Sequence, residues 1–181
     1  MPDSRVVVAV DDNGIAQVTL NRSEKLNALD MPMFKAIDKT IKQIKKDKRI
    51  RAVILTGAGE DFCSGLDVKS VMKSPQNAIS LLFKWWPGSA NLAQRVTAKW
   101  RQLPVPVIVA IHGRCWGGGT QIALGGDFRI AHPAASVSIM ESHWGLIPDM
   151  AGNKVLSQHL PLDQALKLAM TAEKLTGTQA Q

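Results

Sequence analysis

The chain has 181 residues, with 22 Lys and Arg against 15 Asp and Glu, a formal charge of +7, 45% hydrophobic and 20% charged residues. That balance describes an ordinary soluble globular domain, taken as residues 1–181, with enough chain to bury a core. It excludes a membrane-spanning protein, because no apolar run approaches the ~20 residues a span needs. The start, Met1-Pro2-Asp3-Ser4-Arg5, lacks the basic-then-apolar pattern of a secretory signal. Cys63 and Cys115 match no metal spacing and read as free thiols in a reducing compartment, which points to the cytoplasm.

Val6 to Val10 and Ile15 to Leu20 are β-rich runs joined by Asp11-Asp12-Asn13-Gly14, a hairpin signal. A polar loop, residues 21–29, follows. Asp30 suits an N-cap and Pro32 the first turn of a helix with the apolar stripe Phe34, Ile37, Ile41 and Ile44. Much of the excess charge sits on that helix's polar face and C-terminal end: Lys39, Lys42, Lys45, Lys46, Lys48, Arg49 and Arg51. Aromatic residues that could stack on bases are absent there, so the cluster reads as a solvated face. An RNA-binding module is the rival from another class, and a phosphate-bearing small ligand would benefit from the same positive field. Ala52 to Gly57 is a buried strand by its continuous apolar character, and strand–helix–strand at this spacing implies a parallel crossover. A glycine-containing exit loop, residues 58–69, comes next. Residues 71–103 are helical with a break at Pro87-Gly88, where Trp85 and Trp86 read as packing or lid residues.

Val107 to Ile111 is a second buried strand, reached through the extended Leu103-Pro104-Val105-Pro106. A turn and three glycines, Gly117, Gly118 and Gly119, then open a helix. Triple glycine at a strand-to-helix junction brings backbone close to a neighbour and leaves N–H groups unpaired beside a positive dipole end. Such a junction suits an anion or a developing oxyanion. A phosphate loop fails because Gly119 stands where the lysine is required, and a dinucleotide fingerprint fails because Ile122 stands where its last glycine would be. Glycines that merely permit tight packing are the other reading. Phe128 to Ala131 and Ser136 to Ile139 are short strands, residues 140–152 an irregular loop, and helices follow at about 152–160 and 162–172. The repeating unit is two strands and a helix.

Four stretches together resemble the crotonase (enoyl-CoA hydratase/isomerase) family: Asn21 to Leu29, Phe62-Cys63-Ser64-Gly65-Leu66-Asp67, Ile111-His112-Gly113 through Gly119, and Gly145-Leu146-Ile147-Pro148. The resemblance implies an α/β fold, a spiral of ββα units assembled as trimers or pairs of trimers. It implies an acyl-CoA substrate and a stabilised enolate, with coenzyme A as part of the substrate and no further cofactor. It also implies no metal, membrane or nucleic-acid partner. By the same resemblance the backbone N–H groups of Leu66 and Gly118 form an oxyanion hole. Fixed backbone donors suit that task because they need no reorganisation as charge develops. By the same resemblance the adenine end of coenzyme A is expected against the loop of Lys25, Leu26, Asn27 and Ala28 and near Ser64. Family chains continue past Leu175-Thr176-Gly177-Thr178-Gln179 with helices that cover the acyl pocket and help build the trimer, so that C-terminal part is expected to be truncated here.

The family's hydratases carry two glutamates; the matching positions here are Gln121 and Glu141, and a third position, used by dienoyl-CoA isomerases, is Asp149. Water addition is helped by two carboxyl groups, whereas a double-bond shift needs one group that removes a proton and returns it elsewhere. Gln121 can orient water or hold structure but cannot exchange protons. The residues therefore favour an isomerase with Glu141 as acid/base, Asp149 extending it to a dienoyl-type shift; a trans-2-enoyl-CoA hydratase of fatty-acid oxidation is the alternative. Asp149 also reads as a turn residue or helix cap. His112 and His143 lie at no family catalytic position, and Trp116 and Trp144 read as acyl-pocket or core residues.

Overall fold

In the computed structural model, which describes residues 4–84, 86 and 88–181, the alternating N-terminal residues build a hairpin. Strand β1 (Val6–Val10) runs antiparallel to β2 (Ile15–Leu20), and Asp11 Oδ1 accepts the Asn13 and Ile15 N–H groups across the turn at 3.0 and 2.8 Å. Residues 1–3, Trp85 and Pro87, with the readings placed on them, lie outside the described residues. Helix α1 (Met31–Lys46) starts as its sequence dictates: the Asp30 carboxylate accepts the Met33 N–H at 2.8 Å and Pro32 sits in the first turn. Its stripe of Phe34, Ile37, Ile41 and Ile44 is buried. Strand β3 (Ala52–Gly57) lies parallel to β2, as a crossover helix requires.

Residues 68–98 hold three short helices, α2 (Val68–Val71), α3 (Pro75–Leu82) and α4 (Leu92–Ala98). A 3₁₀ turn over Trp100–Gln102 then buries Trp100 completely. Helix α4 is tied to α1 through Asp38, which pairs with Lys42, Arg95 and Lys99 at 2.7, 2.9 and 3.3 Å. Burial pushes the Asp38 carboxyl up, but these cations outweigh it and hold it at about 2. Trp86 is 76% exposed, so of its two readings packing is the one the structure removes.

Strand β4 (Val107–Ile111) pairs parallel to β3 and passes through β5 (Arg114–Trp116) to α5 (Gly118–Leu124). Strand β6 (Phe128–Ala131) returns beside β4, giving a five-stranded sheet in the order β1-β2-β3-β4-β6. Strand β7 (Ser136–Ser138) joins β5 instead and leads to a 3₁₀ turn at Glu141–Trp144. Helices α6 (Gly152–Leu156) and α7 (Leu162–Thr171) precede β8 (Lys174–Thr176), which completes the second sheet, β5-β7-β8. Strands β4 and β6 of the large sheet each hand the chain to the small sheet and then to a helix or 3₁₀ turn, the expected ββα unit, whereas β2 and β3 lead to α1 and α2 with the single bridges of Leu29 with Leu66 and Cys63 with Cys115 in place of a small-sheet strand. Helix α6 stops four residues short of its expected end at residue 160, in turns before Pro161, a residue type that disfavours helix just ahead of it.

Gly113, between β4 and β5, has φ +53°, and a Cβ there would stand 1.9 Å from the Glu60 carbonyl oxygen. Neither atom is at a flexible end. Gly113→Ala is expected to lower stability by about 3 kcal/mol or more, read as a shift in the denaturant midpoint; an unchanged midpoint contradicts this close approach.

Candidate active site

Two strand-exit loops meet at the N-terminus of α5. Phe62 and Cys63 donate to the His112 and Arg114 carbonyls, and Trp116 N–H donates back to Cys63 O, each at 2.9 Å. Beyond this stitching the Leu29 N–H donates to Gly65 O at 2.8 Å and the Asp67 N–H to Leu29 O at 3.1 Å. In a parallel bridge those bonds flank Leu66, so its own N–H points away from Leu29. It meets no acceptor among the described residues. Gly118 is the first residue of α5, where no intrahelical acceptor exists, and its N–H is equally unpaired among the described residues. Gly65, at φ +94°, brings the two turns into contact: a Cβ on it would lie 2.8 Å from Trp116 O and 3.4 Å from Gly118 N. The predicted donor residues therefore stand on touching turns, both amides open. Tight packing is also real, since a Cβ on Gly119 would press on the Cys63 carbonyl.

Behind these amides Gln121 and Glu141 form one buried unit. Gln121 is 1% exposed; its Oε1 accepts the Gly152 N–H at 2.9 Å, which orients the amide so that Nε2 donates to Glu141 Oε1 at 2.5 Å. Glu141 Oε2 is buried and has no hydrogen-bond partner among the described residues. The carboxyl stands beside the oxyanion turn, for a Cβ on Gly117 would lie 3.4 Å from Glu141 Oε1. Burial pushes the Glu141 carboxyl above its ordinary value, the Gln121 and backbone hydrogen bonds oppose that, and the charge of Asp149 adds to it. A carboxyl so placed is a ready proton acceptor and donor.

Asp149 belongs to the neighbourhood but not to this unit. It is exposed, no hydrogen bond of its side chain joins it to Glu141, and it acts on Glu141 through its charge. The cap reading is corrected: α6 begins at Gly152 after Ala151, whose φ of +66° turns the chain without a side-chain cap. Asp149 is a turn residue, its N–H bonded to Ile147 O.

The residues expected to meet coenzyme A also come together. Lys25 and Leu26 are exposed, Ala28 and Ser64 half-buried, and Ser64 N–H donates to Leu26 O at 3.0 Å. Leu26 and Asn27 both have φ +53°. Asn27, expected only as a member of the loop that meets the adenine end, pins that loop: its Oδ1 accepts the Arg22 N–H, and its Nδ2 donates to Ala58 O and Asp61 O at 2.9 and 2.7 Å. Arg22 Nη1 then ties Ala28 O to the Asp67 carboxylate. An Asn between Leu26 and Ala28 gives only a weak hint of this, its tolerance of left-handed backbone.

His112 bonds Gly59 O, and His143 stands edge-on to Trp144, which is 65% exposed and so no core residue. The Trp116 indole donates to Ser136 Oγ under the ammonium of Lys174, at the small sheet rather than in the core. Burial pushes the Cys63 thiol up to about 12 and Cys115 higher still, so neither is a nucleophile at neutral pH. Among the described residues no group of three or more His, Cys, Asp or Glu could hold a metal, and no helix is long and apolar enough to cross a membrane.

A family model described as enoyl-CoA hydratase/isomerase matches residues 11–181. The 1,2-epoxyphenylacetyl-CoA isomerase of Escherichia coli is 36% identical over 169 residues, covering 93% of this chain and 63% of that protein. The short-chain-enoyl-CoA hydratase of Clostridium acetobutylicum is 34% identical over 175 residues, covering 96% and 64%. The crystal structure of enoyl-CoA hydratase from Bacillus anthracis superposes with a TM-score of 0.85 at 30% identity, covering 97% of this chain and 66% of that one. The chain thus spans slightly less than two thirds of each of these proteins.

Proposed function

The chain belongs to the enoyl-CoA hydratase/isomerase family, and from that premise we propose that it shifts a double bond along the acyl group of a coenzyme A thioester. In this reading the thioester oxygen accepts from the Leu66 and Gly118 N–H groups. Glu141 removes a proton from the carbon that gives a conjugated enolate. The negative charge moves onto the thioester oxygen, where two preorganised donors meet it. Glu141 then returns the same proton at the far end of the delocalised system, so no oxidant, reductant or water is consumed. Coenzyme A enters as part of the substrate, with Lys25, Leu26, Ala28 and Ser64 along its path, and no further cofactor is needed.

The observation that carries this reading is the single proton-transferring group. Gln121, the other polar side chain of the buried unit, has its amide committed to Gly152 and Glu141, and an amide does not exchange a proton with carbon or water at neutral pH. Within the buried unit, hydration would have to proceed with one carboxyl where two help. Asp149, in electrostatic range of Glu141, supplies a second carboxyl for the longer dienoyl-type shift. Trimeric assembly and a cytoplasmic location belong to the same proposal, the latter suiting two reduced thiols, Cys63 and Cys115.

The thioester chromophore tests it. Purified protein is expected to raise the conjugated-enoyl absorbance when given a 3-enoyl-CoA, and to act on crotonyl-CoA slowly or not at all. Efficient hydration of crotonyl-CoA with 3-enoyl-CoA untouched would replace the isomerase by the hydratase.

A further inference from the structure

At the other end of α5, about 10 Å from Gly118 by the helical rise over seven residues, three basic side chains converge without an ion pair to an acid among the described residues. Arg101, in the 3₁₀ turn after α4, donates from Nε and Nη2 to Gly126 O at 3.4 and 3.5 Å, from Nη1 to Gln158 Oε1 at 2.7 Å and from Nη2 to His159 Nε2 at 2.6 Å. Arg129, on β6, donates from Nη1 to the same Gly126 O at 2.8 Å and from Nη2 to Asp127 O at 3.3 Å. Every one of these partners is neutral. A guanidinium has five N–H groups, so Arg129 keeps three of them, and Arg101 one, without a protein acceptor among the described residues.

Capping of α5 accounts for only part of this. The C-terminal end of a helix carries about half a negative charge, against two full positive charges that share one carbonyl oxygen. Among the described residues Asp127 is the carboxylate whose charge acts on Arg129; its Oδ2 accepts the Val107 N–H at 2.8 Å rather than pairing with either arginine. The next charges along the wall, Lys167 and Glu173, neutralise each other at 2.9 Å. Arg129 and His159, together with Asp127, line a cavity of about 1570 Å³, so this side of the cluster is reachable from outside, with Arg101 packed behind it against His159.

We propose that Arg101, Arg129 and His159 form a binding site for a phosphate-type oxyanion, separate from the thioester site. Two guanidinium groups held on one carbonyl oxygen, each with a spare donor, suit a dianion with several oxygens. His159 is poised to add a third charge. Burial and then the charges of Arg129 and Arg101 hold its imidazole below the ordinary value, while its bond to Leu124 O works the other way. An anion seated across the arginines cancels their repulsion and favours the imidazolium. By linkage, the anion then binds more tightly as the pH falls through the His159 titration.

Inorganic phosphate and sulfate are the probes, with the His159 ring signals followed by NMR. The wild-type chain is expected to show saturable shifts at millimolar phosphate, with acetate clearly weaker. Arg129→Gln and Arg101→Gln are each expected to weaken binding about tenfold or more. Sulfate, whose charge stays constant, is expected to bind more tightly as the pH is lowered from about 8 to about 5. Arg101→Gln, on a surface turn, serves where Arg129→Gln fails to fold. Shifts that never saturate, affinity undiminished in Arg101→Gln, or acetate binding as well as phosphate would each overturn the assignment. None of these results depends on turnover, so the thioester chemistry stands or falls separately.

Discussion

Glu141→Gln is expected to lower turnover by about 10²- to 10⁴-fold while leaving the fold and thioester binding in place. The substitution keeps the shape of the side chain, and the new amide oxygen can still accept from Gln121 Nε2 where Oε1 now does at 2.5 Å. Only the proton-transferring capacity is removed. The same residue governs two pH dependences. As a base Glu141 must be ionised, so the acid limb of kcat/KM is expected above the ordinary carboxylate range, because burial raises this carboxyl. Folding has the opposite slope. A carboxyl raised in the native state binds its proton more tightly there than in the unfolded chain. Its stabilising contribution is therefore complete below the unfolded value and lost as the pH rises through the folded one. Glu141→Gln should accordingly stabilise the chain at neutral pH, a gain that fades in acid. Kinetics and chemical denaturation at two pH values check both; full activity in Glu141→Gln removes the base.

Gly118→Pro is expected to reduce kcat by about 10²- to 10³-fold, the cost of deleting one oxyanion donor, with a much smaller change in KM. Proline is favoured at the first position of a helix because the N–H it lacks has no intrahelical partner. The substitution thus deletes the donor while α5 can still form. Its Cβ would stand 2.9 Å from Leu29 Cδ1 and from Met150 Sδ, the ends of flexible side chains that can shift. Circular dichroism and the denaturant midpoint would show whether the fold survives. A folded Gly118→Pro chain with unchanged kcat contradicts the assigned donor.

What the sequence revealed tracks how far a feature is local. Strands β1 to β4 and helix α1 carry long apolar patterns, and Asp30 and Pro32 mark their own helix start, so these elements were legible. Strands β5 and β8 were not, because three residues show no period, and each exists through its pairing with β7. The positions of Leu66 and Gly118 were legible through the resemblance, but the opening of their amides follows from Leu29 bridging Leu66 and from Gly65 pressing on the turn at Trp116. The orientation of the Gln121 amide could not be read at all. It is set by the Gly152 N–H, 31 residues away, and that contact turns Nε2 toward Glu141. Asp149 misled as a cap because the left-handed backbone of Ala151 turns the chain into α6 without one. For Trp144 only the core reading fails, because an indole can lie exposed on a surface turn as readily as in a core.

A crystal structure of the protein with an unreactive acyl-CoA analogue bound tests the central claim most directly. The expected result has the thioester oxygen about 3 Å from both Leu66 N and Gly118 N, with Glu141 Oε2 facing the carbon chain. A thioester held elsewhere, or a Glu141 carboxyl turned away from the acyl group, would contradict it.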